Sequence, residues 1–115
     1  MKVLVCGGRD YTDLDRVYAV LDKLHDEAGV DVVVHGDASG ADSLAKRWAE
    51  ETGVSQRGYP ADWEAQGSFA GPARNQRMLD EEQPDLVIAF PGNKGTRDMI
   101  RRARRAGVEV VEISR

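Results

Sequence analysis

The sequence predicts an α/β protein: a five-stranded parallel sheet covered by helices on both faces. Short apolar runs, typical of buried strands, alternate along the chain with segments whose apolar residues recur at helical spacing. Such alternation is typical of βαβ units with right-handed crossovers. Three of the runs end in glycine-containing turns, and these turns meet if the strand order is 3-2-1-4-5, which we therefore predict.

The element boundaries follow from apolar spacing and from the residues that start and stop each element. We expect Thr12 to cap the first helix and Gly29 to end it. Residues 60–71 are predicted to be a long irregular loop, of the kind that forms lids or binding loops. Pro72 suits the first turn of the next helix, and the last helix is predicted over 96–106. The predicted strands are 3–6, 30–34, 54–59, 85–90 and 108–113, with the third and fifth at the two edges.

Composition excludes several classes of protein. The chain has 115 residues, of which 41% are hydrophobic and 31% charged, as in a globular domain rather than a disordered segment. Its net charge of −4 argues against a general nucleic-acid coat protein. One cysteine, Cys6, cannot form a disulfide within the chain. No apolar run approaches the ~20 residues of a membrane span, and no leader precedes the first strand, so we expect no membrane partner and a cytoplasmic location.

Phosphate binding is the chemistry that the three glycine turns favour. The turns cover residues 7–10, 35–42 and 91–96, each at the carboxyl end of a predicted strand. In doubly wound sheets the ligand crevice lies beyond these ends, where the strand order reverses. The last turn adds a helix N-terminus, the charge of Lys94 and the hydroxyl of Thr96. The alternative is ordinary strand-to-helix turn chemistry, in which the glycines only reverse the chain.

Taken together, these motifs resemble the YspA-type (YpsA-related) branch of the SLOG superfamily, which joins the Smf/DprA proteins with the LOG phosphoribohydrolases. The resemblance covers nearly the whole chain and keeps the motif order, so residues 1–115 are interpreted as one SLOG domain. It implies a Rossmann-like fold, a nucleotide or nucleotide-derived ligand and a homodimer. The motifs are Gly7-Gly8-Arg9, His35-Gly36, Gly40-Ala41-Asp42, Trp63, Ala70-Gly71-Pro72 with Arg74-Asn75, and Ala89-Phe90-Pro91-Gly92 with Gly95-Thr96.

Two departures from the LOG pattern leave catalysis open. LOG enzymes have Pro-Gly-Gly-x-Gly-Thr-x-x-Glu at the last turn, whereas this chain has Asn93 for the second glycine and Met99 for the catalytic glutamate. Met99 cannot act as an acid or a base. Cleavage of an N-glycosidic bond would therefore need a substitute such as Asp98, Asp42 or Glu64. The candidate catalytic residues are Asp42, His35 and Glu64.

The predicted ligand-binding residues combine the turn glycines with polar and cationic neighbours. Arg9 could pair with a phosphate, and Arg74 matches an arginine that the LOG pattern uses at its ligand. Asp42 could accept from ribose hydroxyls or complement its own helix N-terminus. His35 could be an acid–base group or hold its turn through a ring-to-backbone hydrogen bond. The full set is Gly7, Gly8, Arg9, His35, Gly36, Gly40, Asp42, Arg74, Asn75, Pro91, Gly92, Asn93, Gly95 and Thr96.

Several other residues have two interpretations each. Trp63 could stack on a base or anchor its loop, and Trp48 could lie in the core or at an interface. His25 is expected to be solvated.

We predict no resident metal, although Asp10, Asp37, Asp42 and Asp62 could gather around a Mg²⁺ that accompanies a phosphate. Arg97, Arg101 and Arg105 share one helix face, either as a nucleic-acid stripe or as a solvated face paired with Glu81 or Asp85.

Three functions from different classes remain. The first is a small domain that binds a nucleotide-derived molecule as a sensor or carrier. The second is a hydrolase of N-glycosidic or phosphate bonds in nucleotides. The third is a DNA-associated module, which the acidic charge disfavours. The expected partner is therefore a small molecule rather than a nucleic acid.

Overall fold

The computed structural model describes residues 1–114 and contains a single parallel sheet of five strands. The strand order along the sheet is β3-β2-β1-β4-β5, and every neighbouring pair is parallel. The predicted order 3-2-1-4-5 is confirmed. The strands are β1 Lys2–Cys6, β2 Val32–His35, β3 Ser55–Gly58, β4 Leu86–Ala89 and β5 Glu109–Glu112.

Helices cover both faces of this sheet. The helices are α1 Leu14–Ala28, α2 Ala41–Thr52, α3 Trp63–Gln66, α4 Ala70–Glu82 and α5 Lys94–Arg105, and a 3₁₀ turn, Gly67–Phe69, joins α3 to α4. α1 packs on α2 over one face, and α4 packs on α5 over the other. No helix within residues 1–114 combines the length and the apolarity needed to cross a bilayer.

The core has two layers because strand side chains alternate between the faces of a sheet. In β1, Val3 and Val5 point into the layer that contains α1 and α2, whereas Leu4 and Cys6 point into the layer of α4 and α5. β1 and β4 are covered on both faces, so both read as continuous apolar runs in the sequence. The candidate site lies at the carboxyl ends of these two central strands.

Two local predictions are wrong. Residues 60–71 are not an irregular loop: α3 and the 3₁₀ turn lead directly into α4, and Asp62 caps α3 by accepting from the Ala65 N–H (3.1 Å). The cap of α1 is Asp13 rather than Thr12, because the Asp13 carboxylate accepts from the Arg16 N–H at 3.0 Å. In both helices the capping residue is an aspartate whose carboxylate accepts from the free N–H three residues further on.

Trp48 and His25 have structural roles that tie α1 to α2. Trp48 is only 1% exposed, which confirms a core position and excludes a surface interface for it. Its ring nitrogen donates to Asp22 at 2.7 Å. The His25 ring lies edge-on to Trp48, and its Nδ1 accepts from the Val30 N–H at 2.9 Å. The expectation that His25 is merely solvated is therefore wrong.

A buried carboxylate, Glu82, joins the end of α4 to two strands. It is 6% exposed and accepts hydrogen bonds from Lys2 of β1 (3.2 Å), Arg57 of β3 (2.6 Å) and the Tyr59 hydroxyl. Burial alone would raise the pKa of Glu82, but these three hydrogen bonds outweigh it and lower the pKa below its usual value. Glu82 is therefore held ionised between two cations.

Candidate functional site

The three glycine turns lie together at the carboxyl ends of β1, β2 and β4, and they are hydrogen-bonded to one another. The Gly8 N–H donates to the Pro91 carbonyl at 2.9 Å, which joins the first turn to the third. The Gly8 carbonyl accepts from the Ala41 N–H at 3.1 Å, which joins the first turn to the second. The Ser39 hydroxyl adds a bond to the Arg9 carbonyl at 3.0 Å. These hydrogen bonds between the turns therefore hold them together without a ligand.

Most of the turn glycines make room for the protein's own atoms. A Cβ on Gly40 would lie closer than 3.0 Å to the Gly8 carbonyl oxygen, and one on Gly92 equally close to the Thr96 hydroxyl. The N–H groups of Gly8 and Gly36 donate to Pro91 and Asp42, not outward. These two amides are therefore not available to a phosphate, because the third turn accepts from Gly8 and Asp42 of the same turn accepts from Gly36.

Beside the joined turns lies a crevice of about 800 Å³, bounded by the N-terminal ends of α4 and α5. It opens where the chain leaves β1 toward one edge of the sheet and β4 toward the other, which is the switch point of the strand order. Ten of the predicted ligand-binding residues line this crevice. They are Gly7, Gly8, Arg9, Gly36, Asp42, Arg74, Asn75, Asn93, Gly95 and Thr96.

The remaining predicted residues lie outside the crevice lining. Pro91 and Gly92 line a second, smaller hollow of about 540 Å³ on the α1 side, which shares Asp10 and Asn93 with the crevice. Gly40 is packed beneath Gly8 and Arg9. His35 and the exposed Glu64 do not line the crevice.

The crevice lining also includes residues that the predicted ligand-binding set did not contain. Ser68, Met78, Lys94, Arg97, Asp98 and Arg101 also border the crevice. Lys94, Arg97 and Arg101 follow each other at spacings of three and four along α5, so helical periodicity counted from the last turn was the signal that pointed to them. The pairing expected for this stripe is also different: Arg101 and Arg102 pair with Asp98, and Arg104 with Glu112, rather than with Glu81 or Asp85.

Arg74 connects the second turn to the crevice. Its Nη1 donates to the carbonyls of Gly36 (2.6 Å) and Tyr59 (3.3 Å), and its Nε donates to Asn75 (3.0 Å). Burial lowers the pKa of the Arg74 guanidinium; the Asp42 carboxylate opposes that shift, and the positive charge of Arg9 adds to it. Two guanidinium groups thus face one crevice closely enough to repel each other.

Arg9 lies at the mouth of the crevice against an aromatic ring. Its guanidinium carbon is 5.0 Å from the centre of the Trp63 ring, within the range of a cation–π contact. Trp63 is 46% exposed and borders the crevice. This contact joins the first turn to α3 at the edge of the crevice, with the Arg9 guanidinium over one face of the ring.

The first turn of α5 supplies backbone donors at the same place. Asn93 precedes the helix, and no side chain caps it within the described part of the chain. The first N–H groups of a helix have no partner inside the helix, and they carry the positive end of its dipole. Here they belong to Lys94, Gly95 and Thr96, which line the crevice.

His35 holds the second turn in place. It is 1% exposed; its Nδ1 accepts from the Asp37 N–H at 3.0 Å, and its Nε2 lies 2.6 Å from the Gln56 side-chain oxygen. Because Nδ1 accepts, Nε2 carries the proton and donates. Both ring nitrogens are occupied, so the ring-to-backbone alternative is confirmed and the acid–base hypothesis has no geometric support.

Asp42 is a buried carboxyl that borders the crevice. It is 6% exposed and accepts from the N–H groups of Gly36 (3.0 Å) and Ala38 (3.3 Å). Burial raises the pKa of this carboxyl despite these hydrogen bonds and the nearby Arg74 charge, which act in the opposite direction. Asp42 therefore shapes the second turn and is also a titratable group within reach of a ligand.

Asp98 and Asn75 connect α4 to α5. Asn75 donates to Asp98 at 3.0 Å, and Arg102 donates to the same carboxylate at 2.9 Å. Burial by itself would raise the pKa of Asp98, but the Asn75 and Arg102 hydrogen bonds lower it below its usual value. Asp98 is held ionised by its partners, which suits an anchor better than a substitute for the LOG glutamate. Met99, at the glutamate position, is fully buried in the core.

The aspartates that the sequence left open as partners of a phosphate-borne Mg²⁺ are not gathered in the described part of the chain. Within residues 1–114, no three His, Cys, Asp or Glu side chains come close enough to hold a metal ion. Asp62 caps α3, Asp42 holds the second turn, and Asp37 faces Lys46 at 4.0 Å. Any Mg²⁺ would have to be carried chiefly by its phosphate.

The sheet order and the crevice at its switch point define a Rossmann-like α/β protein, and solved structures agree. UDP-GlcNAc 2-epimerase from Methanocaldococcus jannaschii matches 98% of this chain with a TM-score of 0.60 at 15% identity. DNA processing protein A (DprA) from Streptococcus pneumoniae matches 96% with a TM-score of 0.51 at 22% identity. The chain spans 32% of the epimerase and 58% of DprA. At these identities the likeness establishes the fold alone.

Sequence comparison identifies the family to which the chain belongs. A family model described as the YspA, cpYpsA-related SLOG family matches residues 1–65. The Gene 61 protein of Mycobacterium phage D29 is 40% identical over 120 aligned residues, which cover 96% of this chain and 94% of that protein. The chain belongs to the YspA, cpYpsA-related SLOG family, which confirms the resemblance seen in its motifs.

Proposed function

We propose that the chain binds a nucleotide or nucleotide-derived molecule in the crevice, as a small sensor or carrier domain. The observation that carries this proposal is the convergence of Arg9, Arg74 and the uncapped first turn of α5 on one crevice. Cations and free backbone N–H groups at a helix N-terminus are the standard ligands of phosphate. Membership of a SLOG family supports a nucleotide-related ligand.

The electrostatics explain why an anion suits this place. Arg9 and Arg74 repel one another, and the positive end of α5 lies in the same wall. A phosphate between these groups would relieve the repulsion and satisfy the backbone donors, whereas a neutral ligand would leave both uncompensated. A nucleobase can stack on the face of the exposed Trp63 ring that Arg9 does not cover, a contact that contributes about 1–3 kcal/mol per base.

The first test measures binding through tryptophan fluorescence. Of the two tryptophans, Trp63 borders the crevice and Trp48 is buried, so a ligand in the crevice is expected to change the signal of Trp63 only. We expect AMP, NAD or ADP-ribose to bind, and Arg9→Gln to weaken binding about tenfold or more through the loss of a charge-assisted hydrogen bond. Calorimetry provides the dissociation constants.

The matched control is Arg47→Gln. Arg47 is an exposed arginine on α2, paired with Glu51 and outside the crevice, so its loss changes net charge equally. If Arg9→Gln and Arg47→Gln weakened binding equally, the loss of affinity would be due to the change in net charge and not to a contact with Arg9. A blank across nucleoside monophosphates, NAD and ADP-ribose would remove the proposal altogether.

A hydrolase of nucleotide N-glycosidic bonds is the second candidate, and Asp42 favours it. Its raised pKa means that the carboxyl keeps a proton to higher pH than an ordinary aspartate, so it can protonate a departing base. We expect release of free base from nucleoside monophosphates, detected chromatographically, and a fall of about 100-fold in Asp42→Asn.

Two controls separate chemistry from folding in this test. Glu64→Gln alters an exposed carboxylate outside the crevice and should leave the rate unchanged. Thermal unfolding of Asp42→Asn reports whether the second turn survives the loss of an acceptor. No product from any nucleotide rejects the hydrolase, and product formation at full rate in Asp42→Asn rejects the role of Asp42.

A further inference from the structure

The outer wall of the crevice is formed by a row of cations on α5. Arg97 and Arg101 both line the crevice, and they lie one helical turn apart, about 6 Å along the helix axis. Lys94 stands at the start of the same row. The row therefore continues outward from the backbone donors of the first turn rather than lying on a separate surface.

This wall carries more positive charge than its carboxylate can balance. Asp98 is contacted by Arg102 at 2.9 Å and by Arg101 at 3.1 Å, so one negative charge is shared by two guanidinium groups. Arg97 makes no ion pair with any residue from 1 to 114. By contrast, Arg47 on α2 and Arg77 on α4 each face a glutamate four residues on. Among the described residues, Arg97 thus adds an unpaired charge, and Arg101 a charge whose carboxylate is shared, to the wall of the crevice.

We propose that Arg97 and Arg101 form a second anion subsite, so that the ligand carries at least two phosphate groups: a nucleoside diphosphate or a molecule built on one. The inference rests on the proposed function, because it assumes that a first phosphate occupies the inner end beside Arg74. A single phosphate leaves the outer wall uncompensated. A second one, further along the row, meets the guanidinium groups of Arg97 and Arg101 and can form charge-assisted hydrogen bonds with both.

A small diphosphate fits this wall better than a nucleic-acid strand does. Arg105 shares the helix face of Arg97 and Arg101 but does not line the crevice, so the cationic row ends within the length of a small ligand. The chain as a whole carries a net charge of −4, which opposes a long polyanion. An oligonucleotide is therefore included below as a competing outcome.

The test compares ligands that differ by one phosphate. Calorimetry at fixed ionic strength measures AMP against ADP, and inorganic phosphate against pyrophosphate, so that the base is present in one pair and absent from the other. The variant is Arg97→Gln with Arg101→Gln. The control is Arg104→Gln with Arg105→Gln, which removes the same charge from the same helix outside the crevice.

The expected result is a preference of about tenfold or more for the diphosphate member of each pair in the unmodified chain. This preference should fall toward one in the Arg97/Arg101 variant, with AMP affinity little changed, and should persist in the control. Equal binding of AMP and ADP, or a preference that survives in the variant, overturns the second subsite and leaves the proposed function standing.

Two other outcomes would overturn more than the second subsite. Absence of binding by every nucleotide and by both inorganic anions overturns the proposed function and this inference together. Tighter binding of a single-stranded oligonucleotide than of ADP, weakened equally by both double variants, assigns the row to a polymer and overturns the diphosphate assignment.

Discussion

Gly40→Ala is expected to destabilise the chain by about 3 kcal/mol or more and to abolish ligand binding. Gly40 has a φ of 76° and a ψ of −129°, a conformation that side chains rarely adopt. An added Cβ would also lie closer than 3.0 Å to the Gly8 carbonyl oxygen and to the Arg9 backbone. The strain and the overlap both fall where the first and second turns are hydrogen-bonded, so the turns must separate.

Gly53→Ala is the matched control for this change. Gly53 has a φ of 79° at the end of α2, but no atom lies within 4 Å of the position that a Cβ would take. Its replacement should cost about 1 kcal/mol, the strain of a left-handed alanine alone. Urea unfolding gives both free energies, and the Gly40 variant should lose more than about 10 °C in melting temperature. Equal losses in the two variants would show that contact between the turns contributes little.

Glu82→Ala is expected to lower the free energy of unfolding by about 3 kcal/mol at neutral pH. The change leaves Lys2, Arg57 and the Tyr59 hydroxyl without their shared acceptor. The estimate is at the low end for a buried ion pair because Arg57 is 53% exposed and can turn to water. Glu81→Ala, one residue earlier, is the control: Glu81 is exposed, pairs with the exposed Arg77 and accepts a long bond from the Tyr59 hydroxyl (3.3 Å), so its loss should cost less than about 1 kcal/mol.

The effect of Glu82 should depend on pH in a defined direction. Its pKa in the folded chain lies below the usual 4.5, so the ionised carboxylate stabilises the fold above that pH. As pH falls through the lower folded value, protonation removes the contribution, and the unmodified and Glu82→Ala chains should converge in stability. At the alkaline end, burial and the Glu82 hydrogen bond raise the pKa of Tyr59 to about 12. In Glu82→Gln the phenol should ionise at lower pH, which ultraviolet titration measures. A gap in stability that persists in acid would contradict this account.

The sheet and the position of the site were predictable because both depend on local signals. Residues 3–6 and 85–90 read as apolar runs because β1 and β4 are covered on both faces. Each run ends in a glycine turn, so the strand order followed from requiring the turns to meet. Arg9 was identified as a residue of the first turn and Arg74 through its match to the LOG pattern, and both border the crevice.

The features that could not be predicted from the sequence depend on contacts between residues that are distant along the chain. Glycine at position 40 indicates a special backbone, but only the structure shows that the space it leaves is filled by Gly8, 32 positions earlier. α3 was missed because Trp63 and Phe69 are 46% and 63% exposed, so this segment has no apolar periodicity to reveal a helix. The α5 arginines were noticed as a stripe, but their direction toward the crevice depends on how α5 packs against α4.

The two outer strands have a consequence for how copies of this chain can associate. β3 and β5 have four residues each, and they expose Arg57 on one side of the sheet and Glu109 and Glu112 on the other. Short, charged margins are poor templates for an added strand, so they resist fibril-like growth by sheet extension. We therefore expect any association between copies of this chain to use its helices or the exposed Phe69 rather than these two margins.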